Sequence, residues 1–167
     1  MTRMKTKKVA VMGLAVALAM ILSFVESQIP PLVPMIPGIK MGLANIAVVF
    51  VLYKLGWKEA VTISLLRVFL VTLLFGNIGL LWYSLAGAVL SLAGMIALKK
   101  TGLFSGIAVS VVGGVLHNAG QIAVACVLFE TDKLLYYLPF LILGGIAAGV
   151  VIGLLAGVMV KRIKLEV

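Results

Sequence analysis

Charge is what this sequence has least of, and acidic charge above all. Lys, Arg, Asp and Glu together make up 11% of its 167 residues, and only five of these are acidic. A soluble domain carries about 25% charged residues, and so few charges cannot cover a surface that faces water. The single cysteine, Cys126, excludes an intrachain disulfide and reads as a small apolar filler. With one histidine, one cysteine and no clustered carboxylates, no zinc or haem site is expected within the chain, and no cofactor. Enzymes that handle diphosphates through magnesium need grouped carboxylates. Here the one aspartate, Asp132, stands beside Glu130 in a loop. Neither a Gly-x-x-x-x-Gly-Lys-Ser/Thr loop nor a Ser-His-Asp or Cys-His arrangement can be assembled. No catalytic residue is therefore expected, and the chain reads as a binder rather than a stand-alone catalyst.

What is present is apolar: 63% hydrophobic residues and a mean hydropathy of +1.27. A transmembrane helix needs about 20 mainly apolar residues. Six runs approach this: Val9–Val25, Met41–Leu55, Ala60–Phe75, Leu80–Leu98, Ser105–Phe129 and Tyr136–Val160. The expected fold is a single all-α integral membrane domain over residues 1–167, with six transmembrane helices and no soluble domain. The second and third runs are short, which predicts tilt or a tight turn at Gly56 and Trp57. The first could pass for a secretory signal, but Glu26-Ser27-Gln28 after it lacks a small-residue cleavage pattern, so it reads as a retained helix.

The basic residues set direction. With the N-terminus in the cytoplasm, eleven fall inside: Arg3, Lys5, Lys7, Lys8, Lys54, Lys58, Lys99, Lys100, Lys161, Arg162 and Lys164. Only Lys40 and Lys133 fall outside, and Arg67 lies within a span. This asymmetry predicts both termini in the cytoplasm. The basic residues sit at termini and in short gaps, with no stripe along a helix, so membrane lipid and not nucleic acid is the expected neighbour. The first outside connection, Gln28–Lys40, holds Pro30, Pro31, Pro34 and Pro37, which predicts a stiff extended segment. It reads either as a linker or as the wall of an outward pocket.

Small residues recur four apart. Gly145, Gly149, Gly153 and Gly157 form one seam, and Gly13/Ala17 and Ala15/Ala19 form two pairs in the first helix. In lipid, close backbone approach through such faces is how helices associate. These seams read as packing within the bundle, or in the first helix as a docking face for a partner.

Polar side chains inside hydrocarbon are costly and mark sites. They are Glu26, Lys40, Asn45, Arg67, Asn77, His117, Asn118 and Gln121. Arg67 lies midway along its span and presents a planar donor fork suited to carboxylate or phosphate. It pairs with Glu26 or with a substrate anion, and a ligand could displace the internal counter-ion. His117 and Gln121 share a helix face, which Ser110, Gly113 and Gly114 extend toward the cytoplasm. That face serves packing or a polar pocket. Trp82 and Tyr83 read as interfacial anchors or as a stacking surface for a planar ligand. Arg67, Lys40 and His117 against Glu26 give a cationic interior, for which a small organic anion is the expected occupant.

Several blocks carry a family resemblance: Glu26-Ser27 before the proline-rich loop, Pro37-Gly38-Ile39-Lys40-Met41-Gly42-Leu43-Ala44-Asn45, Arg67, Leu74-Phe75-Gly76-Asn77, Ser84-Leu85-Ala86-Gly87 and His117-Asn118-Ala119-Gly120-Gln121. Together they resemble the bacterial Gx transporter family, also catalogued as heptaprenyl diphosphate synthase component I. In size and six-helix layout the chain is more distantly similar to the substrate-binding S components of energy-coupling-factor transporters. That similarity implies a bundle in the bacterial cytoplasmic membrane. It implies, too, capture of a small organic anion or vitamin-like substrate from outside, energised by a separate coupling membrane protein and ATPases. It also implies that Ala15 and Ala19 contact the coupling protein. The synthase label implies instead a membrane accessory subunit of a prenyl diphosphate synthase in isoprenoid or quinone biosynthesis. A component of a flavin-linked membrane electron-transfer system is the third reading. The transport reading is preferred, because aspartate-rich motifs are lacking.

Overall fold

The computed structural model describes residues 2–29, 42–75 and 78–165, with side chains described for 6–29, 42–74 and 81–165. Six α-helices follow one another: α1 (Thr2–Ser27), α2 (Asn45–Lys54), α3 (Trp57–Phe75), α4 (Ile78–Thr101), α5 (Gly106–Leu128) and α6 (Leu138–Arg162). A single 3₁₀ turn, Lys133–Tyr137, leads into α6. No strand occurs among the described residues. The proline-rich stretch 30–40, with Lys40, and also Asn77, lie outside the described residues.

Among the described residues four stretches are long and apolar enough to cross a membrane: Thr6–Ser27, Leu81–Thr101, Gly106–Leu128 and Lys133–Arg162. The other two helices fall short for different reasons. α3 has the length, 19 residues, but carries Lys58, Glu59 and Arg67. α2 has only 10 residues, about 15 Å at 1.5 Å per residue, half the roughly 30 Å of hydrocarbon. This corrects the expected span Met41–Leu55. Glycine explains the shortening. Gly42, with φ +81°, turns the chain just before α2, and Gly56, with φ +129°, stops it and starts α3 at Trp57. Both angles lie where only glycine escapes a Cβ penalty. The tight turn expected at Gly56 and Trp57 is therefore present.

α2 compensates for its length by position. Every residue from Asn45 to Leu52 is buried, because α1, α3 and α6 surround the helix. Its Val48, Val51 and Leu52 join Ile63 of α3, Val109 of α5 and Ile152 of α6 in the main core. A smaller cluster holds Tyr83, Ile122, Ala125 and Leu141, with Cys126 packed at its edge as the apolar filler expected. The outward faces stay apolar, with Leu14, Leu73, Val127 and Phe140 all more than 70% exposed. A water-facing surface would not be built this way.

α5 is the central helix and packs on α4 and α6. Lipid gives little drive for apolar helices to meet, so close backbone approach must supply the attraction. Glycine makes it possible. A Cβ on Gly145 would stand 2.9 Å from the Gly114 carbonyl oxygen. One on Gly149 would stand 2.5 Å from Val111 Cα, and one on Gly153 2.8 Å from Ile107 Cα. The α6 seam thus packs inside the bundle at three of its four glycines, while a Cβ on Gly157 would meet nothing within 4 Å. Gly113 and Gly114, expected to extend a possible pocket face, instead admit Met95 of α4 and the Gly145 backbone of α6. α5 opens on an N-cap in which the Ser105 hydroxyl accepts from Ala108 N–H at 3.2 Å.

Ala15 and Ala19 are 5% and 0% exposed, with Ala19 packed against Ala44 and Ala47 at the start of α2. In this fold they lie inside the bundle, the first of the two readings of the α1 seam. At 100° per residue the Gly13/Ala17 pair points the opposite way, and both of those residues are exposed.

The basic turns gather at one end. Lys8 pairs with Glu59 at 2.5 Å, joining α1 to α3. Lys99 donates to the Leu52 carbonyl and lies 5.0 Å from the Tyr53 ring centroid. Lys58 and Lys100 lie 5.6 and 5.8 Å from the Trp57 centroid, within cation–π range.

The α5–α6 seam makes a direct prediction. Gly149→Ala forces a methyl into fixed backbone and should cost about 1–3 kcal/mol, a fall of several degrees in melting temperature in detergent. Gly157→Ala should leave the melting temperature unchanged.

Candidate functional site

Four elements converge at the end of the bundle away from the basic turns. Glu26 stands in the last turn of α1, Gly42 precedes α2, Arg67 lies midway along α3, and His117 and Gln121 lie one turn apart on α5. Together with Ser23, Val68, Val71 and Ser84 they line one pocket. The polar members are deeply buried: Glu26 5%, Arg67 6%, His117 3% and Gln121 1% exposed. Such groups are expensive in an apolar interior unless paired or hydrogen-bonded.

Glu26 is held by the backbone: its Oε1 accepts the Gly42 N–H at 2.5 Å, and it lines the same pocket as Arg67. Both alternatives for Arg67, internal pairing and ligand binding, therefore draw on this one site. Arg67 keeps one buried donor, Nε, without a hydrogen-bond partner among the described residues. The remaining free space accommodates the centres of water molecules over only about 20 Å³, room for roughly one water. A vitamin-sized ligand does not fit this state. Among the described lining residues one guanidinium faces one carboxylate, so the expected cationic excess depended on Lys40, outside the described residues.

His117 is seated by two glycines. A Cβ on Gly87 of α4 would stand 2.9 Å from His117 Cε1 and Nδ1, and one on Gly42 3.4 Å from its Cδ2. Only residues without a side chain let the imidazole enter between α2 and α4. Asn45, 4% exposed, sits beside this seat, with Nδ2 3.0 Å from the same Gly42 position.

Of the eight substrate-contact candidates, the structure therefore brings Glu26, Arg67, His117 and Gln121 into one pocket, with Asn45 at its margin. Asn118 does not join them. One residue on from His117, it is rotated about 100° around α5, and its Nδ2 donates to the Leu141 carbonyl of α6 at 2.8 Å. That is a helix-to-helix tie. Lys40 and Asn77 lie outside the described residues. Trp82 is 54% exposed on the bundle's outside and Tyr83 is buried in the smaller core, so neither lines the pocket. Ser23, Gly42, Val68, Val71 and Ser84 were not anticipated as lining residues. Ser23 was legible as one turn before Glu26, and Val71 as one turn after Arg67. Ser84 stood out only as part of the Ser84-Leu85-Ala86-Gly87 block, not as a lining residue.

Chemically the pocket offers a guanidinium, an imidazole and a carboxamide around one carboxylate. Its donors are of the kind that can hold an anion, and the described lining residues include no paired carboxylates. Among the described residues no three His, Cys, Asp or Glu side chains come together.

Comparison with known proteins gives one match: the family model of heptaprenyl diphosphate synthase component I covers residues 15–159. No curated protein and no solved structure matches.

Gly87→Ala tests the imidazole seat. The methyl must push His117 or the α4–α5 backbone aside, at about 1–3 kcal/mol. Thermal unfolding should show that loss. Retention of the wild-type melting temperature would contradict the seat.

Proposed function

The match over residues 15–159 makes this chain a member of the heptaprenyl diphosphate synthase component I family, and from that premise we propose that it is the membrane-embedded, non-catalytic component of a prenyl diphosphate synthase. It sits in the bacterial cytoplasmic membrane with both termini in the cytoplasm, a direction supported by eleven basic residues on one side against two on the other. Its role is to hold an anionic head group at Arg67 while the surrounding helices meet an apolar chain. The aspartates needed for magnesium chemistry come from a separate catalytic partner.

The observation that carries this reading is the burial of Arg67 beside Glu26, His117 and Gln121 in one pocket. A guanidinium in an apolar interior is a costly device for packing alone. Its planar fork suits a phosphate or carboxylate better than an ammonium would.

One observation favours a second reading, capture of a small organic anion from outside for a coupling protein and ATPases. The pocket lies at the end of the bundle away from the lysine-rich turns, which the charge asymmetry places outside. Both readings need an anion at Arg67, and they differ in its identity and in the partner.

The test is ligand-dependent stabilisation of the purified protein in detergent. Inorganic pyrophosphate, a prenyl diphosphate, a flavin and anionic vitamins are compared. A ligand at 100 times its dissociation constant adds about 2.7 kcal/mol. The prenyl diphosphate should raise the melting temperature of the wild type and leave Arg67→Ala unmoved. The catalytic synthase subunit should copurify. Stabilisation by a vitamin or flavin alone would move the assignment to capture. No stabilisation by any anion would contradict both.

A further inference from the structure

The lysine-rich end of the bundle carries a group that the Arg67 pocket does not use. Trp57, 49% exposed, opens α3, and two ammonium groups approach its ring. Lys58 Nζ lies 5.6 Å and Lys100 Nζ 5.8 Å from the ring centroid. The two lysines come from different helices, so the feet of α3 and α4 meet at this one indole. Their charge is not answered within the described residues. Glu59, next to Lys58 in sequence, accepts from Lys8 at 2.5 Å, and neither Lys58 nor Lys100 makes an ion pair there. Lys99, rotated about 100° from Lys100, is spent on the Leu52 carbonyl and the Tyr53 ring. Two like charges beside one ring repel, and an anion between them relieves that repulsion.

The surroundings decide which anion. Lys58 stands at the foot of an exposed ridge of α3, Thr62, Leu66 and Phe69, at the spacing of one helix face. Lys100 stands in the same way below Ala97 and Ala93, which are exposed on α4. Thr62, the one polar side chain on either ridge, turns its hydroxyl back to the Lys58 carbonyl at 3.0 Å. Both ridges are therefore apolar above the lysines, and α3 and α4 are neighbours. A soluble acidic partner would meet the end of the bundle, whereas these ridges face outward along its length.

We propose that Trp57, Lys58 and Lys100 form a binding site for an anionic phospholipid. Its phosphate lies between the two ammonium groups, its glycerol region against the indole, and its acyl chains along the two ridges. Indole rings settle at the level of lipid head groups, and basic side chains gathered between helices hold anionic ones. The site lies at the opposite end from the Arg67 pocket and stands whatever that pocket binds. The lipid clamps α3 to α4 at a point where the described residues supply no ion pair between them.

Native mass spectrometry tests this, with protein released from detergent containing equal amounts of phosphatidylglycerol and phosphatidylcholine of the same chains. The wild type should retain phosphatidylglycerol in preference. Lys58→Gln with Lys100→Gln should cut that preference about tenfold. Lys7→Gln with Lys161→Gln removes the same charge from exposed positions at the same end and should keep it. Glycerol 3-phosphate, a phosphate without chains, should not compete. Equal retention of the two lipids, a preference that survives the Lys58 and Lys100 changes, equal loss in both double variants, or competition by glycerol 3-phosphate would overturn the proposal. So would loss of the catalytic subunit from the Lys58 and Lys100 variant with lipid retention unchanged, which would make the patch a protein-docking surface.

Trp57 also reports on the lipid directly. The chain has two tryptophans, so a Trp82→Phe background leaves Trp57 as the single indole. Phosphatidylglycerol brominated on its acyl chains should quench Trp57 fluorescence at lower mole fractions than brominated phosphatidylcholine. Identical quenching curves would overturn the proposal.

Discussion

Two buried charges of opposite sign mark the functional end of this protein: the Arg67 guanidinium and the Glu26 carboxylate, placed on different helices and lining one pocket inside an apolar bundle. Neither is affordable alone. An isolated charge moved into such a medium costs several kcal/mol even after relaxation, and removing one partner of a buried pair typically costs about 3–5 kcal/mol. The hydrogen bond from the Gly42 amide to Glu26 ties the end of α1 to the start of α2. Evolution would find a hydrophobic pair of similar volume no worse for stability. The presence of charge here points to exchange with something charged.

The rest of the bundle works under a different constraint. Lipid does not push apolar helices together, so their contacts depend on close fit. α5 shows how one helix meets both demands. Gly114, facing α6, and Gly113, facing Met95 of α4, let neighbouring helices come close. Farther along, the same helix turns His117 and Gln121 into the pocket, and between them Asn118 spends its amide on the α6 backbone. Packing and recognition are thus divided among residues only one to four positions apart. The helix period alone separates them.

That division explains what was legible in the sequence. Long apolar runs gave α5 and α6 nearly whole and the apolar middles of α1 and α4, whose helices continue into the flanking basic residues. α2 was overestimated because hydropathy does not see a positive φ at Gly42, and burial on all sides makes a short helix as apolar as a long one. The pocket was legible through rarity: a charged or amide side chain in hydrocarbon stands out, and Glu26, Arg67, His117 and Gln121 meet as their rarity suggested. Asn118 passed the same test for a different reason, since a polar group tying two helices is as rare as one facing a ligand. Ala15 and Ala19 carried the right spacing for a docking seam, but spacing does not say which side of α1 faces the bundle. Membership of the heptaprenyl diphosphate synthase component I family was legible in the blocks around Gly42, Ser84 and His117.

The most direct measurement is nuclear magnetic resonance of the arginine side chains. The chain has three arginines, Arg3, Arg67 and Arg162, so ¹⁵N-arginine labelling in detergent gives three Nε–H signals that single substitutions assign. Titration with a prenyl diphosphate should shift the Arg67 signal saturably and leave Arg3 and Arg162 near their free positions. An Arg67 signal that stays fixed through saturating concentrations, or equal drift of all three, would contradict Arg67 as the anion-binding group.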